Sequence, residues 1–389
     1  MAVHNHNKRI LIIGLASSVF VKDFISQYAH RGYTVDLIST GKADRLEAVD
    51  IQINIGPVAN SLFGKIGRHI KIIRDTKSAI SKLPDGYEAA VIHGINIFLA
   101  PSMKMLKQKA RRVVAVVWGS DYYRSTRAQD ILKIKIYRNA DSIVFTNPKT
   151  LEDFSKKNPH ILADKLRIAR FGLPVLDEID KLKAHTFGRT DLPYDFFGLP
   201  DDKIIVLAGY SGSLAHRQDL IIAALAGLKP AIRNLIHLVF PVGYGSPEVK
   251  KAIEEKLTQA QAANYSILTD FYSFQDAAKL RCITDILINI QSSDQFSGSM
   301  QETLYAGGYV IAGAWLPYQE IIDAGAKIKL VEKPEGIARA LTELIEAHCC
   351  KETKPTAGVK QYIKNASSWN VTIKQWDSAI FADSTSRAP

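Results

Sequence analysis

Cysteine is scarce. The three in 389 residues, Cys282, Cys349 and Cys350, have no paired spacing. That excludes a disulfide scaffold or a cysteine zinc site and fits a reducing cytosol. Long apolar runs are missing too, and nothing approaches the roughly 18–20 residues of a membrane span. The first apolar run, residues 10–15, follows Lys8 and Arg9 but is too short for a signal-peptide core, and amphipathic sequence rather than a cleavage site comes after it. Acidic residues fall short in one half only. Residues 1–180 hold 28 Lys and Arg against 17 Asp and Glu, whereas residues 181–389 hold 22 of each. The whole net charge of +11 therefore lies in the first half, which should meet something acidic: a phospholipid surface, a phosphorylated acceptor or nucleic acid.

What is present reads as an α/β protein of about two domains' length. Residues 9–14 form an apolar run ending at Gly14, a small polar turn follows, and residues 19–31 have helical spacing. Further short strands fall at 33–39, 89–93, 112–118 and 142–146, with helical segments among them. Residues 187–202, rich in Gly, Pro, Asp and aromatics without periodicity, read as a linker. The pattern then restarts, with strands at 203–208, 236–240, 266–268, 285–290 and 309–312. Two such halves predict two Rossmann-like domains facing each other, with ligands at the carboxyl ends of the strands in the cleft between them.

The most informative window is Asp294-Gln-Phe-Ser-Gly-Ser-Met-Gln-Glu302, followed by Thr-Leu-Tyr-Ala-Gly-Gly-Tyr-Val-Ile-Ala312. A helix should open near Ser299, where unpaired backbone N–H groups favour a phosphate. Glu302, one turn in, is placed to accept hydrogen bonds from ribose hydroxyls; complementing the helix dipole is its other reading. In the first domain, Gly14, Ser17 and Ser18 line the end of the first strand, although a plain tight turn also explains the glycine. Trp118-Gly-Ser-Asp121 ends a later strand. Asp121 is the best candidate base for a direct displacement, or else a helix N-cap. Residues 60–83 are amphipathic: Leu62, Ile66, Ile70, Ile73 and Ile80 make the apolar stripe, and Lys65, Arg68, Lys71, Arg74, Lys77 and Lys82 meet a single acid, Asp75. This is either a solvated helix face or a contact with an anionic membrane.

The 294–312 window resembles the signature of GT-B glycosyltransferases of the family 4 type: an acid, seven residues, Glu, a small-residue helix end and a V-I-A strand. Asp294 takes the place of the usual first Glu, Phe296 matches the aromatic and Glu302 the second Glu, while Ala306-Gly307 and Val310-Ile311-Ala312 match the tail. The resemblance implies that Glu302 holds the donor ribose. It implies also that Asp294, Phe296, Ser297, Gly298, Ser299 and Met300 surround the diphosphate and donor sugar. Residues 205–225 are similar to the opening of that family's donor domain, which puts Gly209, Ser211 and His216 at the donor. Tyr210 stands where Arg is usual, and His216-Arg217 where Lys-Gly is usual. Arg217 is left to neutralise the leaving diphosphate, a surface helix position being its alternative.

His93-Gly94 resembles the histidine turn of the same family's first domain, although a histidine there also suits a simple turn contact. Phe171-Gly-Leu-Pro174 resembles the turn that hands over between domains, and Ser368-Trp369 the final helix that crosses back. Residues 209–213, 240–245 and 117–121 resemble Fuc4NAc transferases, lipid-diphosphate-directed enzymes that invert configuration where family 4 retains it.

The resulting expectation is an acceptor-binding domain over residues 1–186, a linker over 187–202, a donor domain over 203–350, and a tail over 351–389 that returns to the first domain. Arg217, Asp121 and His93 would carry the chemistry, with Gly14, Ser17, Ser18 and Trp118 facing the acceptor. The expected partners are a nucleoside-diphosphate sugar and a glycan or lipid-linked acceptor, with no cofactor, no obligatory metal and no nucleic acid. The expected place is the cytoplasm, peripheral on the inner face of the plasma membrane. A nucleotide-sugar epimerase of the same fold and a non-catalytic polyanion-binding protein are the alternatives.

Overall fold

The computed structural model describes residues 8–56, 64–184, 191–243, 245, 247–294, 296–347 and 357–381. They form two compact units. One runs to Phe171 and takes in the chain from Thr372 onward; the other is Gly172–Val371.

The first unit is built on β1 (Arg9–Gly14), β2 (Thr34–Ser39), β3 (Gln52–Asn54), β4 (Ala89–His93), β5 (Val113–Val117), β6 (Ser142–Phe145) and β7 (Leu166–Ile168). They pair in the order β3-β2-β1-β4-β5-β6-β7, all parallel. Parallel strands need crossover connections, which cover both faces with helices. That is why β1, β4, β5 and β6 are nearly continuous apolar runs, buried throughout save for Arg9 at the start of β1. Strand order reverses between β1 and β4, so Gly14 and His93 end side by side. A Cβ on Gly14 would lie 3.1 Å from that of His93.

The second unit repeats the plan with β8 (Ile204–Ala208), β9 (Ile236–Pro241), β10 (Tyr265–Leu268), β11 (Ile286–Asn289), β12 (Tyr309–Gly313) and β13 (Ile328–Val331). Its parallel order is β10-β9-β8-β11-β12-β13, and the reversal falls between β8 and β11. Ligands of such sheets gather at the carboxyl ends beside the reversal. The architecture is thus α/β with two Rossmann-like units.

The boundary between the units differs from the one expected. It falls at 171/172, not at 186/187. Leu173, together with Val175, Leu176 and Ile179 of the helix Val175–Ala184, lies in the core of the second unit, as do Tyr194 and Leu199 from the expected linker. Their apolar side chains are buried against the second sheet's helices, so this stretch is part of a domain. Gly172 opens the unit because nothing larger fits: a Cβ there would lie 2.2–2.5 Å from the Trp369 ring.

The last helix, Trp369–Phe381, joins the first unit from Thr372. Trp376 is buried against Phe24, and its Nε1 donates to the Arg170 carbonyl at 2.9 Å. Arg31 donates to both oxygens of Asp377 at 2.8 and 2.6 Å.

Residues 64–82 are helical, Gly64–Lys82, but the buried stripe is not the expected one. Thr76, Ala79, Ile80 and Leu83 are buried, while Ile70 is 62% exposed and Leu62 lies outside the described residues. Among the described residues no helix is long and apolar enough to cross a membrane.

Candidate functional site

Each unit gathers its polar residues at the carboxyl ends of its strands. In the second unit the window read from the sequence forms the loop after β11 and the helix Gly298–Ala306. Ser297 is its N-cap: its Oγ accepts from the Met300 N–H at 3.2 Å. The N–H groups of Gly298 and Ser299 lead the helix. Met300 is wholly buried, so its side chain belongs to the core and not to a donor site. Phe296 likewise packs against that core. Gly307, at φ 103°, ends the helix in the left-handed region.

Glu302 is buried and paired. Arg281, on the helix Phe274–Ile283, donates from Nε to Glu302 Oε2 at 3.0 Å and from Nη2 to Ser299 Oγ at 2.6 Å. Both side chains are less than one-tenth exposed. The acid that the sequence offers to a ribose is thus also one half of a buried ion pair. Asp294 is also positioned: the Tyr318 hydroxyl donates to its Oδ2 and accepts from Asn289 Nδ2 at 2.6 Å. Burial, and then the Asp294 charge, push the Tyr318 phenol well above its ordinary range.

The loop after β8 lies alongside. Gly209 sits at φ 73°, where a Cβ would be 3.1 Å from His216. His216 is buried with its ring 4.2 Å from that of Tyr210, so it shapes the loop. Ser211 is buried, its carbonyl accepting from Gln218 Nε2 at 3.1 Å. Gln291 Nε2 donates to the Tyr210 hydroxyl at 2.7 Å and ties this loop to the one after β11. Arg217, at φ 54°, caps the helix Gln218–Leu225 and rests 5.8 Å from the Trp315 ring. Among the described residues no carboxylate is within ion-pair reach of it. The structure thus brings Gly209, Ser211, His216, Arg217, Asp294, Ser297, Gly298, Ser299 and Glu302 to the carboxyl end of one sheet, at the reversal between β8 and β11.

In the first unit, His93, Gly14, Ser17, Ser18 and Trp118 share the ends of β1, β4 and β5. Ser17 is exposed and Ser18 buried. His93 is 5% exposed, ringed by Phe24, Phe171, Trp376 and Trp118 at 4.6–6.1 Å between centroids. Neither its ring nitrogens nor Trp118 Nε1 has a hydrogen-bond partner among the described residues. Burial pushes the imidazole down to about 3, so at neutral pH it is an uncharged hydrogen-bonding group.

Asp121 is held at both carboxylate oxygens, and the N-cap of the short helix Ser120–Tyr123 is Gly119 instead. Its Oδ2 accepts from the Ile95 N–H at 2.6 Å and its Oδ1 from the Trp118 N–H at 2.9 Å. It clamps the loops after β4 and β5 together. Burial raises its pKa, with the two N–H donors opposing.

Sequence reasoning missed Arg281, Tyr318, Asn289 and Trp315. None has a local signal, because each reaches the site from another element.

Residues 9–147 match the family model described as "Glycosyl transferase 4-like". No curated protein sequence matches the chain. Solved structures do. Sucrose-phosphate synthase from Thermosynechococcus elongatus is 15% identical, with 95% of this chain and 98% of that one covered and a TM-score of 0.73. A glycosyltransferase from Rickettsia africae is 15% identical over 97% and 100%, with a TM-score of 0.70. HepE from Anabaena, solved with UDP and glucose, is 13% identical over 95% and 99%, with a TM-score of 0.68. Residues 9–147 thus match a glycosyl transferase 4-like domain, in a chain whose two-unit α/β fold is that of these solved structures.

Proposed function

We propose that the enzyme moves a sugar from a nucleoside-diphosphate donor, bound by the second unit, to a glycan or lipid-linked acceptor bound by the first. One observation carries the donor assignment. The reversal between β8 and β11 places an unpaired arginine, Arg217, a capped helix N-terminus at Ser297–Ser299 and the Glu302 carboxylate on a single edge. Cations and helix-start N–H groups suit a diphosphate, and a carboxylate suits a ribose. Stabilising the departing diphosphate with fixed donors of this kind is electrostatic catalysis and requires no metal. That HepE was solved with UDP and glucose supports the same class of donor.

On the acceptor side, the uncharged His93 and the Trp118 indole offer buried hydrogen-bonding groups in an aromatic frame. The exposed basic residues of Gly64–Lys82 suit a membrane bearing a lipid-linked acceptor, and a role in making cell-surface polysaccharide from the cytoplasmic side follows from that reading.

The test is a thermal-shift and calorimetric panel of nucleoside diphosphates and their sugars, followed by acceptor-dependent release of the diphosphate. Stabilisation by one diphosphate and turnover only with acceptor are expected. Turnover of a nucleotide sugar without acceptor would instead mark an epimerase, and no stabilisation by any diphosphate would overturn the donor assignment.

A further inference from the structure

The Arg281 guanidinium is only partly used by the protein. Nε and Nη2, one edge of the planar fork, are taken by Glu302 and Ser299. The third nitrogen, Nη1, is buried and has no partner among the described residues. A buried guanidinium N–H without an acceptor is costly, and such a group calls for a water, ion or ligand to complete it.

The place fits a ligand of negative charge. Ser299 is the second residue of the helix Gly298–Ala306, so Arg281 touches the positive end of that helix. The same side chain acts electrostatically on the Tyr210 hydroxyl in the loop after β8, as does Asp294. Arg281 therefore stands at the helix start that a donor diphosphate would meet, within electrostatic reach of the loop after β8.

We propose that Arg281 is the second cation of the diphosphate site, binding phosphate oxygen through Nη1 while its other edge fixes Glu302 and Ser299. Arg217 and Arg281 then approach from different elements, one from the loop after β8 and one from the helix before β11. This explains how a chain with tyrosine at position 210 still presents two positive charges. It also couples the two halves of the donor, since one guanidinium touches the phosphate and orients the ribose-binding acid. The inference rests on the nucleoside-diphosphate reading above.

The test uses the full chain and calorimetric titration of five pairs: UDP with uridine, GDP with guanosine, ADP with adenosine, CDP with cytidine and dTDP with thymidine. The pair that wild type binds best is carried forward. The readout is the ratio of nucleoside Kd to diphosphate Kd, from which effects on the ribose cancel. Arg281→Gln alone strands a buried carboxylate, so Glu302→Gln is compared with Glu302→Gln/Arg281→Gln, in which the pair becomes two neutral amides. The ratio should hold in Glu302→Gln and fall about tenfold or more in the double variant. A ratio equal within about threefold in the two variants would show that Arg281 only positions Glu302 and would overturn the inference while leaving the donor reading intact. If wild type prefers none of the diphosphates to its nucleoside, the donor reading fails, and the inference with it.

Discussion

Arg281 and Glu302 meet at 3.0 Å across two helices of the second unit, each less than one-tenth exposed. Removing one partner of such a pair leaves the other charged and dry. Glu302→Ala should therefore cost about 3–5 kcal/mol of stability as well as donor binding. Glu302→Gln keeps an acceptor oxygen and should cost less. Urea unfolding of the two variants checks this. An alanine variant as stable as wild type would show that the pair is not formed in solution.

Gly172 and Trp369 make a second dependence. The Cβ of an alanine at 172 would overlap the indole, so Gly172→Ala should destabilise by about 1–3 kcal/mol, the usual cost of overpacking. In a Trp369→Ala background the same change should cost almost nothing. A double-mutant cycle measures the coupling, and additive effects would dismiss the contact.

His93 gives a pH dependence with a definite sign. Its folded-state pKa is depressed by burial to about 3, against an ordinary 6.5. The folded protein therefore resists a proton that the unfolded chain accepts. The stability linked to His93 is complete above about pH 6.5 and is lost as pH falls from there toward about 3, by about 1.4 kcal/mol per unit. Measured against His93→Gln, wild type should lose stability along that slope in acid. Parallel pH profiles for the two proteins would mean that the imidazole is solvated. The same depression predicts no titration of His93 in activity between pH 6 and 8.

Much of this was legible from the sequence, and the limits are physical. The central strands announced themselves because parallel strands buried on both faces are continuous apolar runs. The edge strands Gln52–Asn54, Leu166–Ile168 and Ile328–Val331 did not, being short and half exposed. The Asp294–Glu302 window was readable because loop and helix start are contiguous in the chain. Its partners were not: Arg281 lies 21 residues before Glu302 and Tyr318 lies 24 after Asp294, and only the packed fold joins them. The boundary was misplaced for a related reason. Apolar residues between 173 and 199 carry no period that says which core they enter.

Asp121 offers a test between clamp and base. Both carboxylate oxygens accept backbone N–H bonds, and an asparagine would turn its amide toward one of those donors. Asp121→Asn should therefore lose about 1–3 kcal/mol of stability, and activity should fall through disordered loops. If Asp121 acts as a clamp alone, the acid limb of the kcat/KM profile should keep its midpoint in Asp121→Asn. Disappearance of that limb with stability unchanged would restore Asp121 as the base.

The basic helix is the last case. On Gly64–Lys82, Arg68, Lys71, Arg74 and Lys77 are all exposed, and Asp75 makes only long contacts with Lys71 at 3.6 Å and Arg74 at 3.9 Å. Ile70, on the same helix, is 62% exposed instead of buried. An exposed isoleucine among cations that outnumber their acidic partners is what a helix lying on anionic lipid presents. Each basic residue near such a surface contributes about 1 kcal/mol, screened within about 10 Å at 0.1 M salt. The full chain should therefore sediment with phosphatidylserine-containing vesicles at low salt and be released at high salt. Replacing Arg68, Lys71, Arg74 and Lys77 with glutamine should abolish sedimentation and leave diphosphate binding unchanged, since the residues proposed for the donor belong to the second unit. Ile70→Ser should weaken sedimentation without altering its salt dependence, which separates an apolar contribution from charge alone. If wild type ignores these vesicles at low salt, the helix is a solvated face, and the excess charge of the first unit serves a soluble polyanionic acceptor.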